Sequence, residues 1–272
     1  MNTYLPSVFD EQIQRLILGL EPVDAVRQSR VSRPIDLMLD GVPYPDGTED
    51  IFDFDGALDP LGYLSPIQRH NSCRYVLTYP PNRTSPIAIR LYDRERRFVP
   101  RRISYPVPDD VASASANRIR RPALYPGAAY DIGIAATGIR GRVTWNESGD
   151  DEVPVRWVRV EAAIGGQVVG RAHGDDRGEF LLLLENEAGG LGELPSPLTA
   201  TVTIYGPAAP VDIPGDDPLG DLPRETAGDP DDISDGTTLP DGYDRTDASS
   251  RDVTFELGVL LTGQDKFFFF AE

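Results

Sequence analysis

A chain of 272 residues with 40% hydrophobic side chains is long enough to bury two modest cores. Its 26 glycines and 25 prolines exclude an architecture of long helices and favour short strands joined by loops. A net charge of −18 argues against nucleic acid as the main partner, because phosphate binding needs an excess of Lys and Arg. The single cysteine, Cys73, leaves no internal disulfide. No apolar run reaches the roughly 18 residues of a membrane span. The start, Met1-Asn2-Thr3-Tyr4-Leu5-Pro6, lacks the basic and apolar regions of a signal peptide, so a cytoplasmic location is expected.

In chain order, Phe9, Ile13, Leu16, Ile17 and Leu20 recur at three- and four-residue spacing, which predicts a helix over 8–20. A second short helix is expected over 23–30, after Pro22. Residues 31–68, punctuated by Gly and Pro, read as an extended arm whose Ile51, Phe52 and Phe54 need a surface to cover. Residues 69–108 read as a small antiparallel sheet. Its strands run from Cys73 to Tyr79, from Ile87 to Tyr92 and from Arg97 to Val99. Pro100 is expected to make the last of these an edge or to break it. Residues 109–136 read as a linker.

From 137 onward, short strands recur about every ten residues between Gly-containing turns, the pattern of a β-sandwich. They are Gly138–Val143, Pro154–Glu161, Gln167–Ala172, Glu179–Leu184 and Thr201–Tyr205, with a late strand over 253–261 free to join either sheet. In the turn Asp175-Asp176-Arg177-Gly178, Asp175 caps, Gly178 supplies a positive φ and Phe180 enters the core. Gly138, Gly141, Val143, Pro154, Val155, Val158, Val160, Asp175, Gly178, Phe180, Leu182 and Tyr205 together form an order of motifs that resembles the carboxypeptidase regulatory-like domain. That resemblance covers residues 137–206 and implies a transthyretin-like β-sandwich, completed here by 252–262. Bulky Trp157 and the long 185–198 loop depart from the pattern and bear on the strand edges.

The charge is uneven. Residues 211–250 hold twelve acids against two Arg, whereas 70–105 carry eight Arg against Asp93 and Glu95. The segment 207–251 therefore reads as an acidic loop unable to bury enough apolar surface to order itself. An acidic loop and a basic face also suit head-to-tail contact between copies. The tail 263–272 ends in Phe267-Phe268-Phe269-Phe270, which need cover from this chain or a partner.

Catalytic signatures are sparse. His70 and His173 fall in different expected domains, and His70 with Cys73 lacks a second pair for zinc. Asp229, Asp231, Asp232, Asp235 with Gly236, or Asp241 with Asp244, are the calcium candidates, yet none fits a twelve-residue loop ending in Glu. Asp175 and Asp176 read as turn caps, and Asp150 and Asp151 as adjacent surface acids. No enzyme activity, cofactor or metal is expected. Candidate partner contacts are Phe52, Phe54, Arg97, Arg101, Arg102, Phe267, Phe268, Phe269 and Phe270. The expected role is a structural subunit of an assembly, a homo-oligomeric ring for which sixfold symmetry is the expectation. The whole chain resembles a cap or baseplate accessory protein of a contractile injection (phage-tail-like) particle. The rival reading is a β-sandwich that binds peptide or carbohydrate through Trp145 and Trp157.

Overall fold

The computed structural model describes residues 15–39, 67–79, 86–106, 118–133, 135–145, 153–184, 196–211, 217, 219–226, 235–244, 249–262 and 266–269. The protein is mainly β. Its first half supplies β1 (Arg15–Leu20), β2 (Val23–Asp24), β3 (Ser29–Arg30), β4 (Asp36–Leu39), β5 (Ile67–Arg69), β6 (Tyr75–Tyr79), β7 (Ile87–Tyr92), β8 (Arg101–Tyr105), β9 (Ile119–Arg120) and β10 (Ala123–Leu124). The second half adds β11 (Gly138–Trp145), β12 (Arg159–Ile164), β13 (Gln167–His173), β14 (Glu179–Leu183) and β15 (Leu198–Pro207). It ends with β16 (Arg224–Thr226), β17 (Tyr243–Asp244), β18 (Ser250–Phe255), β19 (Leu260–Leu261) and β20 (Lys266–Phe269).

The helix expected over 8–20 is absent from its described part, which is β1, antiparallel to β6 and parallel to β9. A run of alternating leucines satisfies period two as well as it satisfies a helix, and pairing on both sides decides for the strand. The second expected helix is a hairpin of β2 and β3. Asp24 Oδ1 there accepts the N–H groups of Val26 and Arg27, both at 3.0 Å, which turns the chain back on itself.

Sheets β5-β6-β1-β9 and β16-β8-β7-β4 contribute Leu18, Leu20, Tyr75, Leu77, Ile87, Ile89, Leu91 and Ile103 to one core. Residues 119–124, within the stretch expected as a linker, pair with β1 and β2 and bury Leu124. Sheets β14-β11-β19/β20 and β13-β12-β15-β17/β18 share a second core around Val143, Val160, Phe180, Val202 and Phe255. The late segment over 253–261 joins both sheets, β18 pairing with β15 and β19 with β11.

β14 joins the two cores. Phe180 and Leu182 point into the second, while Leu181 and Leu183 point into the first. A strand apolar at every position has two faces to bury, and the run Phe180-Leu181-Leu182-Leu183 does so. The strand expected to start at Pro154 begins only at Arg159, because Trp157 takes a left-handed conformation with φ 59°.

Candidate functional site

The acidic segment is the main departure from expectation. Part of it, around Leu219, Leu222 and Glu225, is built into the body. Leu219 and Leu222 pack with Val99 and Trp157 in a third small core, which also receives Met38 and Tyr92. β16 then pairs parallel to β8, with Glu225 in register with Ile103. In β8, Arg101 lies two residues from Ile103 and so shares its inward face. The register therefore delivers a carboxylate beside a buried guanidinium.

Arg101 and Glu225 are fully buried, and Arg159 of β12 nearly so. Arg101 Nε donates to both Glu225 oxygens at 3.2 Å, and Arg101 Nη2 donates to Oε2. Arg159 Nη2 donates to Oε1 at 2.8 Å. The left-handed turn at Trp157 helps by placing its carbonyl to accept from Arg159 Nη1 at 2.8 Å and from the Tyr243 hydroxyl at 3.0 Å. Burial pushes the Glu225 carboxyl up, but Arg101 and Arg159 outweigh it and hold the group below its ordinary value. Arg101, Glu225 and Arg159 thus join strands of both halves through a residue of the acidic segment.

His173 lies beside this cluster, its ring stacked on Tyr125 at 3.8 Å between centroids. Burial, then the positive charges of Arg159 and Arg101, drive its pKa well below the ordinary 6.5, against a hydrogen bond to the Gly236 backbone. Protonation below pH 6.5 therefore favours the unfolded chain, and the stability present above 6.5 is lost as pH falls towards the folded-state value. Urea-unfolding free energy is expected to drop by about 1 kcal/mol between pH 7 and 5.5. His173→Phe should flatten that slope; an unchanged slope would assign it to other groups.

Two more acids of the segment meet arginines of the same chain. Asp217 pairs with Arg90, and Asp221 with Arg156, whose Nη2 donates to Oδ1 at 3.0 Å. Charge complementarity between the acidic segment and the basic stretch is therefore partly satisfied within one molecule. This corrects the reading of the described acidic segment as a solvated loop.

The remaining sequence candidates separate. Arg101, expected as a partner contact, is internal. Arg97 is largely covered and held by Asp93, its Nε donating to Oδ2 at 2.9 Å. Arg102 Nη1 reaches the Leu222 carbonyl at 3.3 Å. Phe267 and Phe269 are buried in the second core, and Phe268 points outward with 47% exposure. Gly141 makes room for two of the rings involved: a Cβ there would approach the Phe180 ring to 2.6 Å and the Phe267 ring to 3.1 Å. Phe52, Phe54, Phe270, Asp150, Asp151, Asp229, Asp231 and Asp232 lie outside the described residues.

Asp175 Oδ1 accepts the N–H groups of Arg177 at 2.9 Å and Glu179 at 3.0 Å. Gly178 has φ 71°, and a Cβ on it would strike the Val143 carbonyl at 2.5 Å. Phe180 is buried. Asp176 pairs with Arg96 at 2.7 Å. Trp145 and Trp157 are both buried, so neither indole offers an exposed stacking face for a sugar or peptide. His70 Nδ1 meets Ser72 Oγ at 2.8 Å, and Cys73 Sγ donates to the Ser32 carbonyl at 3.1 Å. Asp241 Oδ2 accepts from Thr226 Oγ1 at 2.8 Å, Asp235 gives its carbonyl to the Tyr125 hydroxyl at 2.7 Å, and Asp244 sits in β17. Among the described residues, no three His, Cys, Asp or Glu side chains gather as a metal site, and no helix is long and apolar enough to cross a membrane.

Sequence reasoning missed Glu225, Arg159, Tyr125 and Tyr243. The available signal was alternation in Arg101-Arg102-Ile103-Ser104-Tyr105, which places Arg101 on the same face as Ile103 and Tyr105 and so calls for a buried carboxylate. Compared with family models, curated proteins and solved structures, the chain matches none.

Proposed function

We propose that the protein is a non-catalytic structural subunit of a multi-protein assembly, built on a transthyretin-like second unit. The observation that carries this reading is the use made of its buried charges. Arg101, Glu225 and Arg159 hydrogen-bond to one another and to backbone carbonyls, with Arg159 Nε left as a buried donor without a partner, and so join two cores and the acidic segment into one body. Such a body suits load-bearing contacts, and apolar side chains remain on its outside, at Phe268, Ile119, Leu257 and Val259. The assembly we favour is a homo-oligomeric ring in a contractile injection (phage-tail-like) particle, assembled in the cytoplasm, with this chain as a cap or baseplate accessory.

Sedimentation velocity across about 1–100 μM is the test, since this range brackets the affinities of modest interfaces. A concentration-dependent shift to a closed oligomer is expected. A single monomer boundary throughout the range contradicts self-assembly.

A further inference from the structure

We propose that the surface where the outer face of the β6-β1-β9 sheet, with Arg74, Arg121 and Ile119, meets Arg30 of β3 around Glu21 is the docking site for the acidic segment 229–234 of a second copy. The inference rests on the self-assembly reading and names its interface.

Glu21 follows β1, and its carboxylate is shared by three guanidiniums. Arg74 Nη2 lies 2.9 Å from Oε1, Arg30 Nη1 3.5 Å from Oε1, and Arg121 Nε 3.2 Å from Oε2. Among the described residues, one carboxylate serving three cations leaves two positive charges over. All three cations face water, with side-chain exposures of 57% for Arg74, 44% for Arg30 and 69% for Arg121. Burial pushes the Glu21 carboxyl up, yet Arg74 and Arg121 hold it below its ordinary value, so the carboxylate stays ionised among them.

An apolar centre completes the patch. Gly19 and Ile119 are partners in register, and a Cβ on Gly19 would touch Ile119 Cγ1 at 3.6 Å. Ile119 therefore lies over the bare glycine backbone, 48% exposed, on the face that alternation gives to Glu21 and Arg121. A surface that is basic at its rim and apolar at its centre fits a short acidic segment carrying one aliphatic side chain.

The chain contains a segment of this kind close to the acids already engaged by its own arginines. Asp229-Pro230-Asp231-Asp232-Ile233-Ser234 presents three carboxylates and an isoleucine, and it lies outside the described residues. On its N-terminal side, the described acids Asp217, Asp221 and Glu225 already have arginine partners in their own chain. Because patch and segment are different surfaces, their contact is heterologous, and repetition of it closes a ring or extends a filament.

Two variants disable opposite halves of the contact. Arg74→Gln/Arg121→Gln/Ile119→Ser removes the patch, and Asp229→Asn/Asp231→Asn/Asp232→Asn removes the segment. Each alone is expected to associate at least about tenfold more weakly than the parent chain, and their equimolar mixture to stop at a 1:1 dimer. A synthetic peptide of residues 227–236 should dissolve the parent oligomer, less well in 0.5 M salt, where the Debye length falls to roughly 4 Å; this arm needs no variant to fold. If both variants assemble like the parent and the peptide has no effect, this interface is wrong while the self-assembly reading stands. A parent chain that stays monomeric overturns both.

Discussion

Glu225→Ala is expected to lower the unfolding free energy by about 3–5 kcal/mol, the cost of removing one partner from a buried ion pair. Two guanidiniums that are nearly or fully hidden from water would lose the carboxylate they share. Asp217→Asn provides the contrast. Its carboxylate is partly exposed in the pair with Arg90, so a loss of no more than about 1 kcal/mol is expected. Urea unfolding of the two variants checks the pair. A loss below about 1 kcal/mol for Glu225→Ala would mean that water reaches the cluster. Replacing Arg101, Glu225 and Arg159 together by Met, Leu and Met should recover most of the loss, because no charge is then stranded. The sign with pH follows from the depressed Glu225 value: its contribution is complete above the ordinary 4.5 and disappears as pH falls through the folded-state value.

Phe269→Ala should cost about 3–5 kcal/mol, the range for emptying a buried phenylalanine site. The ring packs edge-on against Trp145 at 5.3 Å between centroids and lies beside Gly206, in the centre of the second core. One residue earlier the alternation reverses, and Phe268→Ala should change stability by no more than about 0.5 kcal/mol. Thermal or urea unfolding of the two single variants separates them. Equal effects would contradict the register in which Phe267 pairs with Val143 and Phe269 with Trp145. Arg251 supports that register from outside, its guanidinium 3.8 Å from the Phe267 ring centre and its Nη1 donating to the Lys266 carbonyl at 3.2 Å.

Elements with one dominant signal were legible in the sequence. Ile87, Ile89 and Leu91 alternate with Ala88, Arg90 and Tyr92, and the first set is buried. Gly165-Gly166, both at positive φ, join β12 to β13 in a tight hairpin. The first segment failed because its leucines fit two periods, and only pairing with β6 and β9 chooses between them. The acidic segment failed for a different reason. Averaged over forty residues its composition is that of a solvated loop, yet stability came from a few positions, Leu219, Leu222 and Glu225, each placed against a specific partner. The buried cluster was illegible for the same cause: Arg101, Arg159 and Glu225 are brought together from three distant segments by strand pairing, and no spacing along the chain encodes it.

The functional reading depends on the buried charges serving cohesion, which requires β16 to be a locked part of the body. Hydrogen–deuterium exchange of the full chain at pH 7 measures this directly. Those amides of residues 224–226 that pair with β8 are expected to exchange as slowly as the amides of the neighbouring strand 101–105, within about tenfold. Exchange of 224–226 within seconds, while 101–105 stays protected, would contradict the account.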